Sequence, residues 1–350
     1  MARETIVKGN SIPPGEEPSR DDAALRPRWL KEVIGQKPVV ERLQIAINAC
    51  RKLKEPLGHM LFDGPPGLGK TTFATVLPNE LGAPIQITSG PALTKPADLL
   101  PYLTNAKEGS FIFIDEIHRT PRIVEEFLYS AMEDFRVGIP IGEGLNARTV
   151  WMKLNRFTLI GATTRSGMLT GPMRDRFKHH EHLDFYQPDE LAQIVSINAK
   201  KLQTAIHPAA AQELAVRSRG TPRIAIARLW WARHYATSEA DGVLTLEVTK
   251  AALTKAEVDE AGLDKQDRRY LDTLIGVFGG GPTGVEALAA TMSIASDTLT
   301  DEVEPFLLRE QFIIRTPRGR MATPRAYSHL GRDLPAQTAA SEPSKPRELF

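Results

Sequence analysis

The chain has 350 residues, which is more than one hydrophobic core usually supports and favours two or three domains. Lys and Arg number 44 against 43 Asp and Glu, so the net charge of +1 excludes a polycationic protein, and any nucleic-acid surface has to be local. The one cysteine, Cys50, excludes a disulfide within the chain and a cysteine-based zinc site, and it fits a reducing compartment.

The two ends of the chain lack apolar periodicity. Residues 1–22 contain five acids, three bases and three prolines, and residues 332–350 are rich in Pro, Ser, Ala and charge. Both compositions are typical of mobile segments, so we predict an N-terminal extension and a C-terminal tail. No run approaches the roughly 18 apolar residues of a membrane span, and the start lacks the apolar middle of a signal peptide. The predicted location is therefore the cytoplasm, without a membrane.

The first half of the chain alternates short apolar runs with helical patterns such as 124–133. Strands alternating with helices indicate an α/β domain with a parallel sheet. The run at 111–114 is continuously apolar, as expected of a strand buried on both faces. The five predicted strands lie at 59–62, 85–88, 111–114, 157–160 and 183–186.

Residues 136–154 break this rhythm. Two short extended stretches flank the segment Glu143–Asn146, which is a loose hairpin signal. A hairpin inserted into an α/β domain usually projects from it. A plain surface loop remains the alternative for this segment.

After residue 187 the pattern becomes helical. The segments 190–202, 208–218, 222–238 and 247–256 predict a small helical domain. From about residue 262, helical segments at 267–277, 284–290 and 297–309 precede a short hairpin signal. Helices followed by a hairpin resemble a winged helix.

Residues Gly64–Thr71 fit the phosphate-loop pattern G-x-x-x-x-G-K-[ST]. The glycines let backbone N–H groups curl around phosphates, and the following helix directs its positive end at them. Lys70 would reach the β and γ phosphates, and the Thr71 hydroxyl would hold Mg²⁺. Because the loop follows a strand and precedes a helix, this is a specific signal.

A second group of polar residues ends the apolar strand at 111–114. Asp115 would organise Mg²⁺ and its waters, and Glu116 would polarise the attacking water as general base. Carboxyl ends of strands are where ligands bind in open α/β sheets. Thr163 and Thr164 end the next strand, where a side chain could orient water or merely cap the strand.

The order and spacing of these motifs resemble the RuvB family of AAA+ ATPases. The resemblance covers residues 22 to 331, and the matching stretches are Gly64–Thr72, Phe111–His118, Tyr129–Asp134, Gly161–Arg165, Ser218–Ile224 and Arg315–Thr323. It implies an ATPase core at 23–186, a helical lid at 187–260 and a winged helix at 261–331.

The resemblance also implies cofactors and partners. ATP and Mg²⁺ would drive a homohexameric ring along duplex DNA at a Holliday junction. RuvA would dock on the hairpin at about 136–154, and the resolvase RuvC is a further implied partner.

Site residues follow from the resemblance by position. Arg176 matches the arginine that reaches a neighbouring subunit's nucleotide, with Arg174 as a second candidate, and Thr164 matches a sensor. Arg315 and Arg320 match DNA-contacting positions, to which Arg318 is added as a neighbouring arginine. The other matching nucleotide residues are Leu25, Arg26, Gly67, Gly69, Lys70, Thr71, Thr72, Glu133, Asp134, Phe135, Tyr186 and Arg223.

Residues 311–332 contain five arginines and no acid, which predicts a local basic surface. The alternative is a solvated hairpin without a ligand. For the whole chain, an AAA+ switch that repositions a partner and a winged-helix transcription regulator also remain open. The chain departs from the family at Pro78, at Lys178 and at the pair Trp230–Trp231, which puts subunit packing in question more than ATP chemistry.

Overall fold

The computed structural model describes residues 24–141 and 148–334, which form two compact units. The first unit runs to Gln203 and also contains the short segment Gly220–Arg223, while the second contains Thr204–Arg219 and the residues from Ile224 onward. The predicted extension at 1–22 lies outside the described residues. So do the turn of the predicted hairpin and all but three residues of the predicted tail.

The first unit alternates strands and helices. In chain order it contains α1 (Lys37–Leu53), β1 (Met60–Asp63), α2 (Lys70–Leu81), β2 (Ile85–Ser89), α3 (Pro96–Thr104), β3 (Ser110–Asp115), α4 (Arg122–Glu133), β4 (Arg136–Ile141), β5 (Arg148–Lys153), β6 (Phe157–Thr163), α5 (Gly171–Asp175), β7 (His179–His182) and α6 (Pro188–Lys201).

Five strands form one parallel sheet in the order β2-β3-β6-β1-β7. The central strands β3 and β6 are almost wholly buried, which for β3 agrees with its continuous apolar sequence. Because the strands are parallel, their carboxyl ends lie at one edge. Asp63 is in register with Thr163, and Ser89 with Asp115. The predicted parallel α/β sheet is confirmed.

The fifth strand was placed wrongly by the sequence. It is His179–His182 and not 183–186. This strand lies at the edge of the sheet, where it pairs with β1. Its residues are polar, so the sequence has no apolar run that would mark a strand there. Glu181 on it is buried and accepts hydrogen bonds from Arg42. An apolar pattern is a poor guide to such an edge strand.

Strands β4 and β5 pair in antiparallel fashion as a separate two-stranded sheet, from Arg136 opposite Lys153 to Ile141 opposite Arg148. The two extended stretches predicted there are therefore present. Trp151 on β5 is 55% exposed, and the Arg136 guanidinium lies 4.8 Å from its ring centroid.

The second unit is mainly helical. It contains α7 (Pro208–Val216), most of α8 (Pro222–Glu239), α9 (Leu246–Lys255), α10 (Lys265–Gly276), α11 (Val285–Met292), α12 (Ser296–Thr298), α13 (Glu304–Arg309), β8 (Ile313–Thr316), β9 (Gly319–Ala322) and α14 (Pro324–His329). A π-helical turn at Leu299–Val303 joins α12 to α13, so the helix predicted at 297–309 is present with one wider turn.

Helices α10 to α13 and the β8–β9 hairpin make the predicted winged helix. Thr283 forms an antiparallel bridge to Arg320, which adds a short third strand to the hairpin. Tyr270 and Phe312 lie fully buried in the core beneath it. The predicted order of parallel sheet, helical lid and winged helix is thus the order found.

The family departures sit in ordinary surroundings. Pro78 lies in the last turn of α2, which continues to Leu81. The Trp231 indole donates a hydrogen bond to the Ala252 carbonyl at 2.7 Å, which links α8 to α9, and the residue is 41% exposed. Trp230 packs beside His234, with 5.8 Å between ring centroids. Both tryptophans therefore contact their own unit.

Cys50 lies in α1, and Lys178 is exposed beside β7. Arg332, the first residue of the predicted tail, is held by Asp272 at 2.6 Å. Among residues 24–141 and 148–334, no helix combines the length and the apolar character needed to cross a membrane.

Candidate nucleotide site and basic wing

The loop between β1 and α2 has a backbone shape that requires glycine. Gly64 and Gly67 have φ angles of 131° and 77°. A Cβ on Gly64 would lie 2.4 Å from the Leu183 carbonyl oxygen, and one on Gly67 would lie 2.7 Å from Thr221 Cγ2. A tight loop that opens a twelve-residue helix is the arrangement that surrounds phosphate groups with backbone N–H donors.

Lys70 begins α2 and is only 8% exposed. Its ammonium donates hydrogen bonds to the carbonyl oxygens of Gly64 and Pro65, at 2.7 and 2.8 Å. Burial lowers the pKa of Lys70 to about 8, an effect that Asp115 opposes and Arg223 increases. The lysine is therefore held in the loop with its charge poorly compensated, which suits it to an anionic ligand.

Nucleotide affinity is expected to fall with rising pH because of Lys70. Phosphate charge favours the protonated lysine, so binding above pH 8 must take up a proton. We expect binding to be about tenfold weaker at pH 9 than at pH 7. Titration calorimetry in two buffers of different ionisation enthalpy measures both the affinity and the proton uptake.

The matched variant is Lys70→Arg, because a guanidinium keeps its charge over this pH range. It should bind nucleotide with little dependence on pH, even if more weakly at pH 7. Equal proton uptake by the wild-type and Lys70→Arg proteins at pH 8 would contradict the assignment.

Asp115 ends β3 next to the phosphate loop. The Thr71 hydroxyl donates to one of its carboxylate oxygens at 3.4 Å, and the Glu116 backbone N–H donates to the other at 2.9 Å. Burial raises the pKa of Asp115, although Lys70 opposes this. A half-buried carboxylate beside a hydroxyl is a set of hard oxygen donors, which fits Mg²⁺.

Glu116 follows in the left-handed conformation, with a φ of 49°. Its carboxylate is partly exposed and lies 3.1 Å from the Arg119 guanidinium. The strand end thus separates the two acids: Asp115 turns inward towards Thr71, whereas Glu116 remains open to solvent and to a reacting water.

The two threonines that the sequence names at the end of β6 have different surroundings. The hydroxyl of buried Thr163 lies 2.9 Å from His118 Nδ1 and accepts a hydrogen bond from the Arg165 backbone N–H at 3.0 Å. Thr164 follows directly and is half-buried. His118 was missed as a site residue, and its position three residues after Asp115 was the available signal.

Residues of the predicted lid boundary reach the same loop. The Tyr186 hydroxyl donates to the Leu68 carbonyl at 3.3 Å, and its backbone N–H donates to Gly220 at 2.9 Å. Burial raises the pKa of Tyr186 to about 12. The Arg223 backbone N–H lies 3.4 Å from the Gly67 carbonyl. Tyr186 and Arg223 are therefore brought together with the phosphate loop.

The segments near Leu25 and Phe135 are packed into the first unit. Leu25 is buried, Arg26 is half-buried, and the Leu25 carbonyl accepts a hydrogen bond from Lys201 at 2.9 Å. The Phe135 ring packs edge-on against Phe157 at 5.7 Å between centroids. The carboxylates before it form ion pairs: Glu133 with Arg176 and Asp134 with Arg136, each at 3.0 Å.

Arg176 lies against α4. Its guanidinium carbon is 4.2 Å from the Tyr129 ring centroid, and the side chain is 19% exposed. It also donates to the Pro172 carbonyl at 2.6 Å. Arg174, the second candidate, is exposed. Tyr129 was not recognised as a site residue, although it lies four residues before Glu133.

The arginines of the β8–β9 hairpin contact an acid on the neighbouring helix α13. Glu304 on α13 is wholly buried, and its carboxylate accepts hydrogen bonds from Arg315 at 2.6 Å and from Arg320 at 2.9 Å. The Tyr270 hydroxyl donates to it at 3.0 Å, and burial together with Glu304 raises the pKa of Tyr270. Arg318 is exposed at the hairpin turn.

The arginines predicted to contact DNA therefore differ in setting. The Arg315 side chain keeps 46% of its surface exposed, whereas that of Arg320 keeps 17%. Arg318 and Arg315 can reach a phosphate from the surface. Arg320 is mostly covered, and its ion pair with Glu304 helps to pack the hairpin against α13.

Family models match this chain along nearly all of its described length. They are the Holliday junction DNA helicase RuvB P-loop domain at residues 25–183, the RuvB AAA lid domain at 186–259 and the RuvB C-terminal winged helix domain at 260–331.

Individual relatives agree. The Holliday junction branch migration complex subunit RuvB of Rhodopirellula baltica is 56% identical over 96% of this chain and 97% of that protein. The protein of the same name from an Anaeromyxobacter species is 49% identical over 95% of this chain and 97% of that protein. The solved Thermotoga maritima RuvB Holliday junction branch migration motor superposes with a TM-score of 0.82 at 43% identity, covering 89% of this chain and all of that one.

Proposed function

The chain belongs to the RuvB family, and we propose on that premise that it is an ATP-driven motor that moves Holliday junctions along duplex DNA. One observation supports the proposal most strongly. A phosphate loop with a buried Lys70, a carboxylate pair and a winged helix with surface arginines occur in a single chain.

The reaction at the nucleotide site is ATP hydrolysis. Lys70 binds the phosphates, and the Thr71 hydroxyl and Asp115 would hold Mg²⁺, which offsets phosphate charge when bound. Glu116 would be the general base, since its carboxylate side chain is 42% exposed and can be reached by a water. Thr163 and His118 orient the strand end beside it, and Thr164 is the proposed sensor.

ATP hydrolysis can depend on the ring if each site includes a group from a neighbouring subunit. Arg176 would stabilise the charge that develops on the γ phosphate of the neighbouring subunit, so hydrolysis would depend on assembly. Arg223, tethered to Gly67 by its backbone, would report the nucleotide state from the start of α8. The remaining pocket residues are Leu25, Arg26, Gly69, Thr72, Glu133, Asp134, Phe135 and Tyr186.

DNA would be held through its phosphates. Arg315 and Arg318 would be the surface contacts. Arg320 would hold the hairpin in place through Glu304 and contact DNA with the small part of its side chain that is exposed. Contacts to phosphate carry no sequence information, which suits a motor that moves along any sequence.

Assembly follows from the same proposal. The homohexamer would enclose the duplex, RuvA would dock on β4–β5 around exposed Trp151, and RuvC would act on the same junction in the cytoplasm. We propose domains at 23–186, 187–260 and 261–331. Matched family ranges within three residues of each boundary support them.

The deciding experiment is ATP-dependent dissociation of a synthetic four-way junction by this protein together with RuvA. We expect dissociation by the wild-type protein and none by Lys70→Ala. ATP hydrolysis without junction movement would instead favour an AAA+ switch that repositions another partner, and junction movement by Lys70→Ala would rule out this site as the source of energy.

A further inference from the structure

Helix α4 carries three residues at four-residue spacing, Glu125, Tyr129 and Glu133. This spacing places them on one face of the helix. Glu125 is 5% exposed, Tyr129 is half-buried and Glu133 lies at the exposed end. The three side chains therefore form a stripe that runs from the core to the surface.

Each member of the stripe contacts the segment that carries Arg176. The Thr170 backbone N–H donates to Glu125 at 3.4 Å, and the Tyr129 hydroxyl lies 2.9 Å from the Thr170 hydroxyl. The Thr170 hydroxyl in turn accepts a hydrogen bond from the Met173 N–H and so caps the short helix α5. The stripe thus fixes the start of the segment before Arg176.

The guanidinium itself lies over the upper part of the stripe. It faces the Tyr129 ring at 4.2 Å and pairs with Glu133 at 3.0 Å. Within the described residues its Nε is buried and makes no hydrogen bond, and its two terminal nitrogens each show one protein partner. Donors therefore remain for an anion while the aromatic face holds the group in place.

An aromatic face suits this task better than a second carboxylate. It attracts the cation through its π electrons and does not compete with phosphate for the N–H donors. Glu133 is 57% exposed, so its ion pair is weakened by solvent and can open.

We propose that Tyr129 is a positioning residue for the trans arginine, holding the Arg176 guanidinium over its ring so that it is ready for the neighbouring subunit's nucleotide. Glu125 fixes the segment, and Glu133 is the partner that the phosphate replaces. The inference rests on the proposed role of Arg176 in the ring.

The test compares Tyr129→Leu with Tyr129→Phe in the assembled ring on DNA. Leucine removes the aromatic face, and we expect kcat for ATP hydrolysis to fall roughly tenfold with KM almost unchanged. Phenylalanine removes only the hydroxyl contact to Thr170, and kcat should stay within about threefold of the wild-type value.

Rings that contain two variants distinguish a misplaced Arg176 from a general defect of the Tyr129→Leu subunit. Glu116→Gln subunits hydrolyse poorly themselves but carry an intact Tyr129 and Arg176. Added to Tyr129→Leu subunits, they should raise the rate per Tyr129→Leu subunit, because the intact neighbour supplies a correctly held arginine. Failure of this rescue would show that Tyr129→Leu harms its own site and would overturn the inference.

The reference variant is Arg176→Ala. If it is slow and Tyr129→Leu keeps the wild-type kcat, the inference is wrong and the proposed trans site stands. If Arg176→Ala keeps the wild-type rate in the ring, the trans site and this inference fall together.

Discussion

Arg176→Ala should lower the ATPase rate of the assembled ring by about 10³-fold, the lower end of the range for an arginine supplied in trans. The guanidinium would neutralise charge that develops only in the transition state, so its loss affects kcat more than binding. Steady-state hydrolysis on DNA at saturating ATP measures this. Nucleotide binding by the subunit should change little, because Lys70, Thr71 and Asp115 are untouched.

Arg174→Ala is the matched control. Arg174 lies two residues away and is exposed, and its backbone carbonyl, which alanine retains, accepts the hydrogen bond from His180. We expect an activity close to that of the wild type. A large loss in Arg174→Ala together with an active Arg176→Ala would move the trans role to Arg174.

Glu304→Ala should destabilise the winged helix by about 3–5 kcal/mol, the usual cost of removing one partner from a buried charge pair. Alanine would leave Arg320 and the Tyr270 hydroxyl without their shared acceptor and would open a cavity among α10, α13 and the hairpin. Hydrogen exchange of the β8 and β9 amides in the full chain reports the local stability.

Glu310→Ala removes the same charge from a nearby, partly exposed position that pairs with Arg325 at 3.3 Å. Such pairs contribute about 0–1 kcal/mol, so β8 and β9 should keep their protection. Equal protection in the Glu304→Ala protein would mean that the buried carboxylate does not hold the wing.

The fold could be predicted where local pattern and burial coincide. The run at 111–114 in β3 is continuously apolar because both faces of this strand are covered. The lid helices follow a helical period and were predicted within a few residues of their observed bounds. The edge strand β7 was misplaced because all four of its side chains are polar. α2 continues through Pro78 to Leu81, although proline has no N–H to donate to the carbonyl four residues earlier.

The candidate site could be predicted as far as sequence spacing reaches. Gly67, Lys70 and Asp115 follow from motif spacing, and their proximity follows from parallel strands. Contacts between distant segments left no such signal. Glu304 is separated from Arg315 and Arg320 by eleven and sixteen residues, and Tyr129 is separated from Thr170 by 41. The run of arginines at 311–332 therefore gave no sign that two of them pair with a buried carboxylate.

The charge of the wing is lower than its sequence implies. Residues 311–332 contain five arginines, yet Glu304, Glu310 and Asp272 each form an ion pair with at least one of them. Glu310 also pairs with Arg309, so six arginines and three carboxylates leave an excess of three positive charges. Each neutralised phosphate releases roughly one condensed counterion from duplex DNA. A single winged helix would therefore displace few counterions and bind duplex DNA weakly. It could then leave one phosphate and bind the next without a high barrier.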